Sequence, residues 1–381
     1  MFQTVGSAVY GRMVLLLAAV GCPGMILAGC GAPMTYRQVM RGSVTTSSVG
    51  LTPVVLTAAL KSRVATPHAL RAAEGLDRLV RSVPPAGWVG SRDRQTFTTA
   101  FALIALVEAN REAKYADPIA RMVRALRASQ WNEAAGCDPS SRWYGGTGCH
   151  AESSPDLFHT SIAVEAMRQA GVPASDPYMR RARVFVSRCQ NLRGPHNPFL
   201  EAGDPNDGGF ANAPPRRYRA HPTGHPERNR RSCGSLTCAG LQSLIYTGLS
   251  KEDVRIKAAV NWLRGNYTLD GNPGMADSRR KLYEYYYAFA KAMTLVGQEV
   301  IVDPSGVEHH WRDELVEVLG RRQRPDGSWL NPAESDDPDE AHPLLTTSYA
   351  VMTLCQLGAG MPEGHASGAP FGEEAGLDHA K

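Results

Sequence analysis

The residues numbered 311–329 read WRDELVEVLGRRQRPDGSW, and those numbered 345–357 read LTTSYAVMTLCQL. The first run places Leu315, Val318 and Leu319 on one face among charged neighbours, which predicts an amphipathic helix. Its Asp-Gly pair predicts a tight turn. The second run is apolar on all sides, which is typical of a buried helix. The two runs together predict a helical hairpin with one exposed and one buried helix.

The same order of amphipathic helix, Gly-rich turn and apolar helix recurs along the chain. The five apolar helices are centred near Ile104, Ala163, Gly240, Phe289 and Val351. Units of about 50 residues with insertions in their turns bury each other's faces. The apolar helices must then lie inside and the charged ones outside. The sequence predicts an all-α fold, an incomplete α/α barrel or toroid of about five helical hairpins over residues 67–358.

One turn carries a recognisable motif, Gln323-x-x-Asp326-Gly327-x-Trp329. It resembles the repeat motif of squalene and oxidosqualene cyclases and of protein prenyltransferase β-subunits. In this interpretation the Gln side chain hydrogen-bonds backbone at a helix end while the Trp packs over it, and Asp-Gly forms the turn. The other units are degenerate in this motif.

Three segments, numbered 235–249, 266–275 and 283–291, give a closer resemblance. They are similar to exported bacterial proteins that carry prenyltransferase/squalene-cyclase repeats. The resemblance implies a terpene cyclase-like toroid, and such toroids usually have six or more hairpins. With five units, the ring is expected to be incomplete, or closed by the preceding segment or by a partner.

The N-terminus predicts export. An apolar run follows Arg12 and ends in Leu27-Ala28-Gly29-Cys30, which has the pattern of a bacterial lipobox. Residues 1–30 are therefore predicted to be a lipoprotein signal peptide with Cys30 lipidated, which anchors the protein to the periplasmic or outer face of a cell membrane. An uncleaved anchor or an ordinary signal peptide is the alternative. Residues 31–66 are predicted to be a flexible tether and residues 359–381 a disordered tail.

Six cysteines remain when Cys22 and the lipidated Cys30 of the predicted signal peptide are set aside. An even number of cysteines permits disulfides in an oxidising compartment. Cys137 and Cys149 flank one Gly-rich loop and are the first predicted pair. Buried free thiols are the alternative.

The charge balance argues against a nucleic-acid partner, since 41 basic and 37 acidic residues leave a net charge of only +4. One insertion in the third unit is nevertheless strongly basic. This predicted basic rim contains Arg216, Arg217, Arg219, Arg230 and Arg231. It is a hypothetical contact for anionic lipid or a diphosphate, with a solvated loop as the alternative.

The acid that the resemblance implies is missing. Class II terpene cyclases protonate an alkene or epoxide with an Asp-x-Asp-Asp-Thr motif, which this sequence lacks. The segment nearest in position is Asp156-Leu-Phe-His159-Thr160. Asp156 and His159 are therefore the candidate catalytic residues, and a helix N-cap is the alternative role of Asp156.

Cyclases also line their cavities with aromatic faces that stabilise carbocations. The aromatic residues predicted to line a ligand cavity are Trp143, Tyr144, Phe158, Phe210, Tyr283, Tyr285, Tyr286, Tyr287 and Tyr349. Core packing is the alternative for all of them.

Two functions remain open. In the first, an exported toroid binds an apolar, isoprenoid-like ligand or a protein partner without turnover. In the second, it is a terpene cyclase or prenyltransferase-like enzyme that uses Asp156 or His159 as a non-standard acid. The zinc motifs of related toroids are not matched, so neither a metal nor a cofactor is expected. The absent acid motif favours the first function.

Overall fold

A computed structural model describes residues 52–62, 68–110, 113–215, 231–331 and 342–358. Within these ranges the chain forms eleven α-helices and one short antiparallel β-hairpin. The elements are α1 (Thr52–Lys61), α2 (His68–Ser82), α3 (Gln95–Ala109), α4 (Ala116–Ala128), α5 (Leu157–Gln169), α6 (Pro177–Cys189), α7 (Gly234–Tyr246), α8 (Val254–Gly265), α9 (Leu282–Val296), β1 (Ile301–Val302), β2 (Glu308–His309), α10 (Trp311–Arg322) and α11 (Pro343–Gly358).

The helices form two concentric layers. The odd-numbered helices α1, α3, α5, α7, α9 and α11 pack each against the next, and α11 packs against α1. These contacts close an inner ring of six helices. The even-numbered helices lie outside, each between two successive inner helices in the chain. The predicted α/α toroid is confirmed, with five outer and six inner helices in the described part of the chain.

The composition of each helix explains its layer. Every residue of α3 from Thr96 to Leu106 is buried, because this helix is apolar or hydroxylated on all sides. In the outer helix α4 the buried positions are limited to one face, Pro118, Met122, Ala125 and Leu126. Despite the apolar character of the inner ring, none of the described helices is both long and apolar enough to cross a membrane.

The sixth inner helix corrects the predicted tether. The residues numbered 31–66 were expected to be flexible, yet Thr52–Lys61 is helical and Pro53 to Ala58 are buried. The Thr57 hydroxyl donates to the carbonyl of Phe101 on α3 at 3.4 Å, and Val55 packs with Leu344 of α11. The prediction was wrong here because a ten-residue helix buried on most sides shows little amphipathic period. The ring is thus closed by the chain itself, through its preceding segment.

Other predictions fall on residues outside the described ranges. These are the signal peptide with its lipidated Cys30, the first part of the tether, and the tail at 359–381. The same holds for Arg216, Arg217, Arg219 and Arg230 of the basic rim.

A glutamine joins outer helix to turn in three of the repeats. In the last one, Gln323 Nε2 donates to the carbonyl of Gly327 at 3.1 Å, and Trp329 Nε1 donates to the carbonyl of Leu319 at 2.9 Å. The Gln side chain thus bonds turn backbone while the Trp closes the end of α10, as the motif predicts. Asp326 tightens the same turn by accepting from the Ser328 N–H at 3.0 Å.

Two further glutamines make the same contact and extend it to the next repeat. Gln130 Nε2 donates to the backbone carbonyl of Gly145 at 3.1 Å and to that of Tyr178 at 2.9 Å. Gln190 Nε2 donates to the carbonyl of Gly208 at 2.9 Å and to that of Arg255 at 2.8 Å. Because Tyr178 and Arg255 begin the next outer helices, these side chains tie successive units together.

A second recurring contact joins turn to inner helix. A buried threonine hydroxyl near the start of the inner helix accepts from the backbone N–H two residues after the turn glycine. The four threonines are Thr99, Thr160, Thr237 and Thr347, at distances of 2.9, 2.9, 3.1 and 3.0 Å. The turn glycine itself is obligatory at Gly145, where φ is +85° and a Cβ would lie 1.9 Å from the Arg181 carbonyl. These contacts fix where those four inner helices begin.

The predicted disulfide is wrong, since Cys137 and Cys149 are both free thiols. The loop between them attaches its two ends to different helices. Near one end, the Pro139 carbonyl accepts from Arg188 of α6 at 2.7 Å, whereas the Cys149 carbonyl at the other end accepts from the Thr96 N–H on α3 at 3.0 Å. The alternative of a buried free thiol describes Cys137, whereas Cys149 is a half-buried free thiol.

Candidate functional site

The first turns of five inner helices surround a cavity of about 920 Å³. We call this end of the toroid the mouth. The lining residues come from the turn before α3 and from the N-terminal ends of α3, α5, α7, α9 and α11, with the turns between them. They are Asp93, Arg94, Phe97, Asp156, Phe158, His159, Asn212, Arg231, Cys233, Ser235, Leu236, Gly274, Met275, Ala276, Lys281, Glu284, Leu345 and Tyr349. A cavity of this size is typical of small-molecule sites.

Both candidate catalytic residues line this cavity. Asp156 is the N-cap of α5, and one carboxylate oxygen accepts from the backbone N–H of His159 at 2.9 Å. The other oxygen lies 2.7 Å from Nδ1 of the same histidine. The Asp156 side chain is 21% exposed and that of His159 is 17% exposed. The N-cap role and the cavity position therefore coexist in one residue.

Aromatic rings form one wall of the cavity. The predicted residues Phe158 and Tyr349 line it, and Phe158 stacks on Phe97 with ring centroids 6.0 Å apart. Tyr287 lies 6.1 Å from Tyr349, at a deeper level of the ring. Phe97 was missed by the sequence analysis, although its place in the first turn of an apolar helix was the available signal.

The other predicted aromatics line neither the cavity nor its deeper extension, and the prediction is corrected for them. These residues are Trp143, Tyr144, Phe210, Tyr283, Tyr285 and Tyr286. Most are core residues with satisfied polar ends. The hydroxyl of Tyr285 donates to the Thr268 carbonyl at 3.1 Å, and that of Tyr286 donates to the Leu269 carbonyl.

Helix geometry and local partners explain the difference. Successive residues of a helix point about 100° apart, so a run of tyrosines on α9 can present only part of itself to the cavity. Tyr144 instead donates to the Glu133 carboxylate at 2.6 Å, and Trp143 stacks under Arg142 with the guanidinium 4.0 Å from its ring. Phe210 fills the space left by Gly240 on α7.

The mouth carries charges of both signs. Arg94, Arg231 and Lys281 are its cations, and Arg231 is the one member of the predicted basic rim within the described residues. Lys281 Nζ lies 3.4 Å from Glu284 and 4.4 Å from the centre of the Phe158 ring. The described lining of the mouth is thus mixed in charge. Across the described ranges, no three His, Cys, Asp or Glu side chains converge as metal ligands do.

Two of the helices at the mouth, α5 and α7, have N-terminal N–H groups that already donate to protein acceptors. The N–H groups of Leu157 and Phe158 donate to Asn212, at 2.7 Å and 3.3 Å. On α7 the Ser235 N–H donates to the Asn272 side chain at 3.0 Å. Because these donors are satisfied, α5 and α7 present aromatic faces and side chains to a ligand rather than bare helix ends.

A smaller cavity of about 60 Å³ extends deeper into the ring and shares Phe158, Ser235, Glu284 and Tyr349 with the first. Its inner wall contains an ion pair between Lys291 of α9 and Glu165 of α5. Burial lowers the pKa of Lys291, opposed by its attraction to the Glu165 carboxylate. Burial also raises the pKa of Tyr246 and of Tyr287, whose rings flank the ammonium.

Comparisons with known proteins identify the fold. No protein-family model and no curated protein matches the chain. Among solved structures, it is similar to the type II terpene cyclase MstE from Scytonema without ligand, at 13% identity and a TM-score of 0.53, over 92% of this chain and 100% of that one.

Two ligand complexes of MstE variants are similar to the same degree. One holds the substrate geranylgeranyl dihydroxybenzoate, with 13% identity, a TM-score of 0.52 and coverage of 93% and 100% of the two chains. The other holds the product merosterolic acid A, with 14% identity, a TM-score of 0.53 and coverage of 93% and 99%. The chain has the toroidal fold of a type II terpene cyclase.

Proposed function

We propose that this protein binds an apolar, isoprenoid-like small molecule in the cavity at the mouth and does not cyclise it. The cavity itself carries the proposal. It lies within a closed ring of helices, holds about 920 Å³ and has Phe97, Phe158 and Tyr349 on its wall. The similar fold of MstE, whose complexes hold an isoprenoid substrate and a terpenoid product, supports the same class of ligand.

The arrangement of Asp156 supports binding without turnover. A cyclase acid must deliver its proton to a carbon of the ligand. Both oxygens of Asp156 instead face His159, one toward its backbone N–H and the other toward its ring. An imidazolium is a weak acid for the protonation of an alkene.

Enzymatic turnover is the second candidate, and one observation favours it. The Asp156–His159 contact lies on the cavity wall beside the aromatic rings, where a proton donor would be required. In this alternative Asp156 orients the imidazole, and His159 donates the proton.

A single experiment separates the two candidates. The protein without residues 1–30 is purified and extracted, and the extract is examined by mass spectrometry for bound lipids. It is then incubated with linear polyprenyl substrates. Binding predicts a co-purifying lipid that incubation leaves unchanged. A new cyclic product that disappears in both Asp156→Asn and His159→Phe would establish the enzyme.

The lipid anchor is part of the proposal. The lipobox sequence ending in Cys30 supports attachment of the toroid to a cell membrane, close to a source of apolar ligands. Metabolic labelling with a fatty acid is expected to mark the wild type and not Cys30→Ser. An unlabelled wild-type protein would rule out lipidation while leaving ligand binding intact.

A further inference from the structure

The deep end of the cavity holds a charged pair that the proposed function does not use. Lys291 and Glu165 face each other from α9 and α5, and only 7% of the lysine side chain and 13% of the glutamate side chain are exposed. Burying two charges costs several kcal/mol per ion before their attraction is counted. Apolar residues of similar volume would fill this space at lower cost, so the pair calls for a reason other than stability.

The lysine is incompletely satisfied. Among the described residues its Nζ touches Glu165 as an ion pair but makes no hydrogen bond of good geometry. The rings of Tyr287 and Tyr246 lie 5.0 and 5.9 Å from it and offer π-faces rather than acceptors. An ammonium carries three donors, so N–H groups remain without acceptors in a buried setting.

Those donors border space that a ligand can reach. Lys291 and Glu165 both line the smaller cavity, which shares four lining residues with the cavity at the mouth. From Glu284 to Lys291 the helix α9 rises about 10 Å, at 1.5 Å per residue. A chain-like molecule whose body lies against Phe158 and Tyr349 would therefore place its far end beside the ammonium.

The pair also selects the chemistry of that end. Lys291 presents a donor, and Glu165 presents a carboxylate that already accepts from Gln169 Nε2 at 2.9 Å. A hydroxyl both accepts and donates, so it matches the two partners together. A hydrocarbon end would leave the ammonium without an acceptor, and a carboxylate end would bring a second negative charge next to Glu165.

We infer that the deep cavity is a polar subsite in which Lys291 and Glu165 bind the terminal hydroxyl of an otherwise apolar, isoprenoid-like alcohol. This inference rests on the proposed function, since it specifies which apolar ligand the cavity selects. The hydroxyl accepts a hydrogen bond from the Lys291 ammonium and donates one to the Glu165 carboxylate.

The test compares three C15 isoprenoids that differ mainly at one end: farnesol, farnesene and farnesoic acid. Their dissociation constants are measured by competition with a bound apolar fluorophore. Wild type is expected to bind farnesol about tenfold or more tightly than either of the others, the size of effect typical of a hydrogen bond to a charged group. Lys291→Met should remove that preference, because farnesol loses its donor and farnesene no longer leaves an ammonium without an acceptor.

Controls distinguish the subsite from the fold and from the cavity. Lys257→Met makes the same change on the exposed face of α8, where the lysine side chain is 58% exposed, and should keep the preference. If Lys291→Met fails to fold because Glu165 is left unpaired, the double variant Lys291→Met with Glu165→Gln replaces it. Equal binding of farnesol and farnesene by wild type, or tightest binding of farnesoic acid, would overturn the inference and leave the proposed function standing. Binding of none of the three would refute both.

Discussion

Asp253 shows how one carboxylate links two repeats. It is the N-cap of α8, and hydrogen bonds from Arg255 lower its pKa to about 2, against the opposing effect of burial. Arg255 in turn donates to the Ser187 hydroxyl on α6 at 3.0 Å. The Asp253 side chain is 21% exposed, so solvent weakens but does not remove the interaction.

Asp253→Asn is expected to alter the acid limb of the stability curve. A carboxyl whose pKa is lower in the folded than in the unfolded state stabilises the fold above its unfolded pKa near 3.8. That contribution disappears as the pH falls from about 4 to about 2. The variant should be about 1–2 kcal/mol less stable than wild type at pH 6, a shift discounted for exposure. Most of the difference should be gone at pH 2, and it should vanish below that pH, where the carboxyl is protonated in both states.

Urea unfolding at pH 6, 4 and 2.5 measures this difference. Asp270→Asn, in an exposed turn, is the control and should follow wild type throughout. A gap between wild type and Asp253→Asn that stays constant with pH would contradict the assignment.

Two substitutions at Asp156 separate its role as a helix N-cap from a chemical role of its carboxylate. Asparagine caps a helix about as well as aspartate, whereas alanine costs about 1 kcal/mol. Asp156→Asn should therefore unfold at the same urea concentration as wild type, and Asp156→Ala should lose about 1 kcal/mol. If the wild type turns over a ligand, loss of that turnover in the stable Asn variant is a chemical effect. Unfolding of both variants at lower urea would show that the carboxylate charge itself stabilises α5.

At the scale of the element, the glutamines at the ends of the outer helices differ in how many hydrogen bonds they donate. Gln190 is fully buried and donates to the carbonyls of Gly208 and Arg255, while Gln323 is partly buried and donates to that of Gly327. Each lost hydrogen bond leaves a buried carbonyl unsatisfied, which lowers the free energy of unfolding by about 1–3 kcal/mol. Gln190→Leu is therefore expected to cost about 2–4 kcal/mol, and Gln323→Leu about 1 kcal/mol.

The two variants serve as controls for each other, since the substitution is the same. Free energies of unfolding from urea titration give the comparison. Equal losses would mean that the bond from Gln190 to the neighbouring unit contributes nothing to stability.

The Gln190 contact is also one that could not be predicted from the sequence. At Gln323 the motif is recognisable because the Gln lies four residues before Gly327. An insertion in the third unit separates Gln190 from Gly208, so no fixed spacing detects it, although the contact is the same. The two-layer arrangement was predictable because the difference between apolar and amphipathic helices survives such insertions.

The residues of the candidate site also differ in whether the sequence could place them. Asp156, Phe158 and His159 could be placed at the cavity because they open an apolar helix, and all such helices begin at the same end. The tyrosines of α9 could not be sorted, since helix rotation decides that Tyr287 faces the cavity and Tyr286 the core. The Lys291–Glu165 pair gave no signal, because its partners lie on different helices.

At the scale of the whole molecule, α1 completes the ring between α11 and α3. Val54 of this helix is fully buried in the core. Val54→Asp places an unpaired charge there and is expected to cost about 3–5 kcal/mol, from lost apolar burial and charge desolvation. Thermal unfolding followed by circular dichroism measures the loss.

Val254→Asp is the matched control. Val254 is 62% exposed in the first turn of α8, where an acidic residue interacts favourably with the helix dipole. It should leave the unfolding temperature nearly unchanged. A similar tolerance of Val54→Asp would mean that the toroid is stable without the contacts of α1.

Ring closure constrains how such a protein can change over evolution. An open solenoid can gain or lose a repeat at either end, because each unit contacts only its neighbours. A circle of six inner helices has no such end, so removing one hairpin would change the curvature of every remaining interface. Sequence length can then vary only where it does not affect that curvature, in the connections at the rims. The unequal lengths of the connections from outer to inner helix, from the short one between α2 and α3 to the long one between α6 and α7, are the variation that a fixed circumference allows.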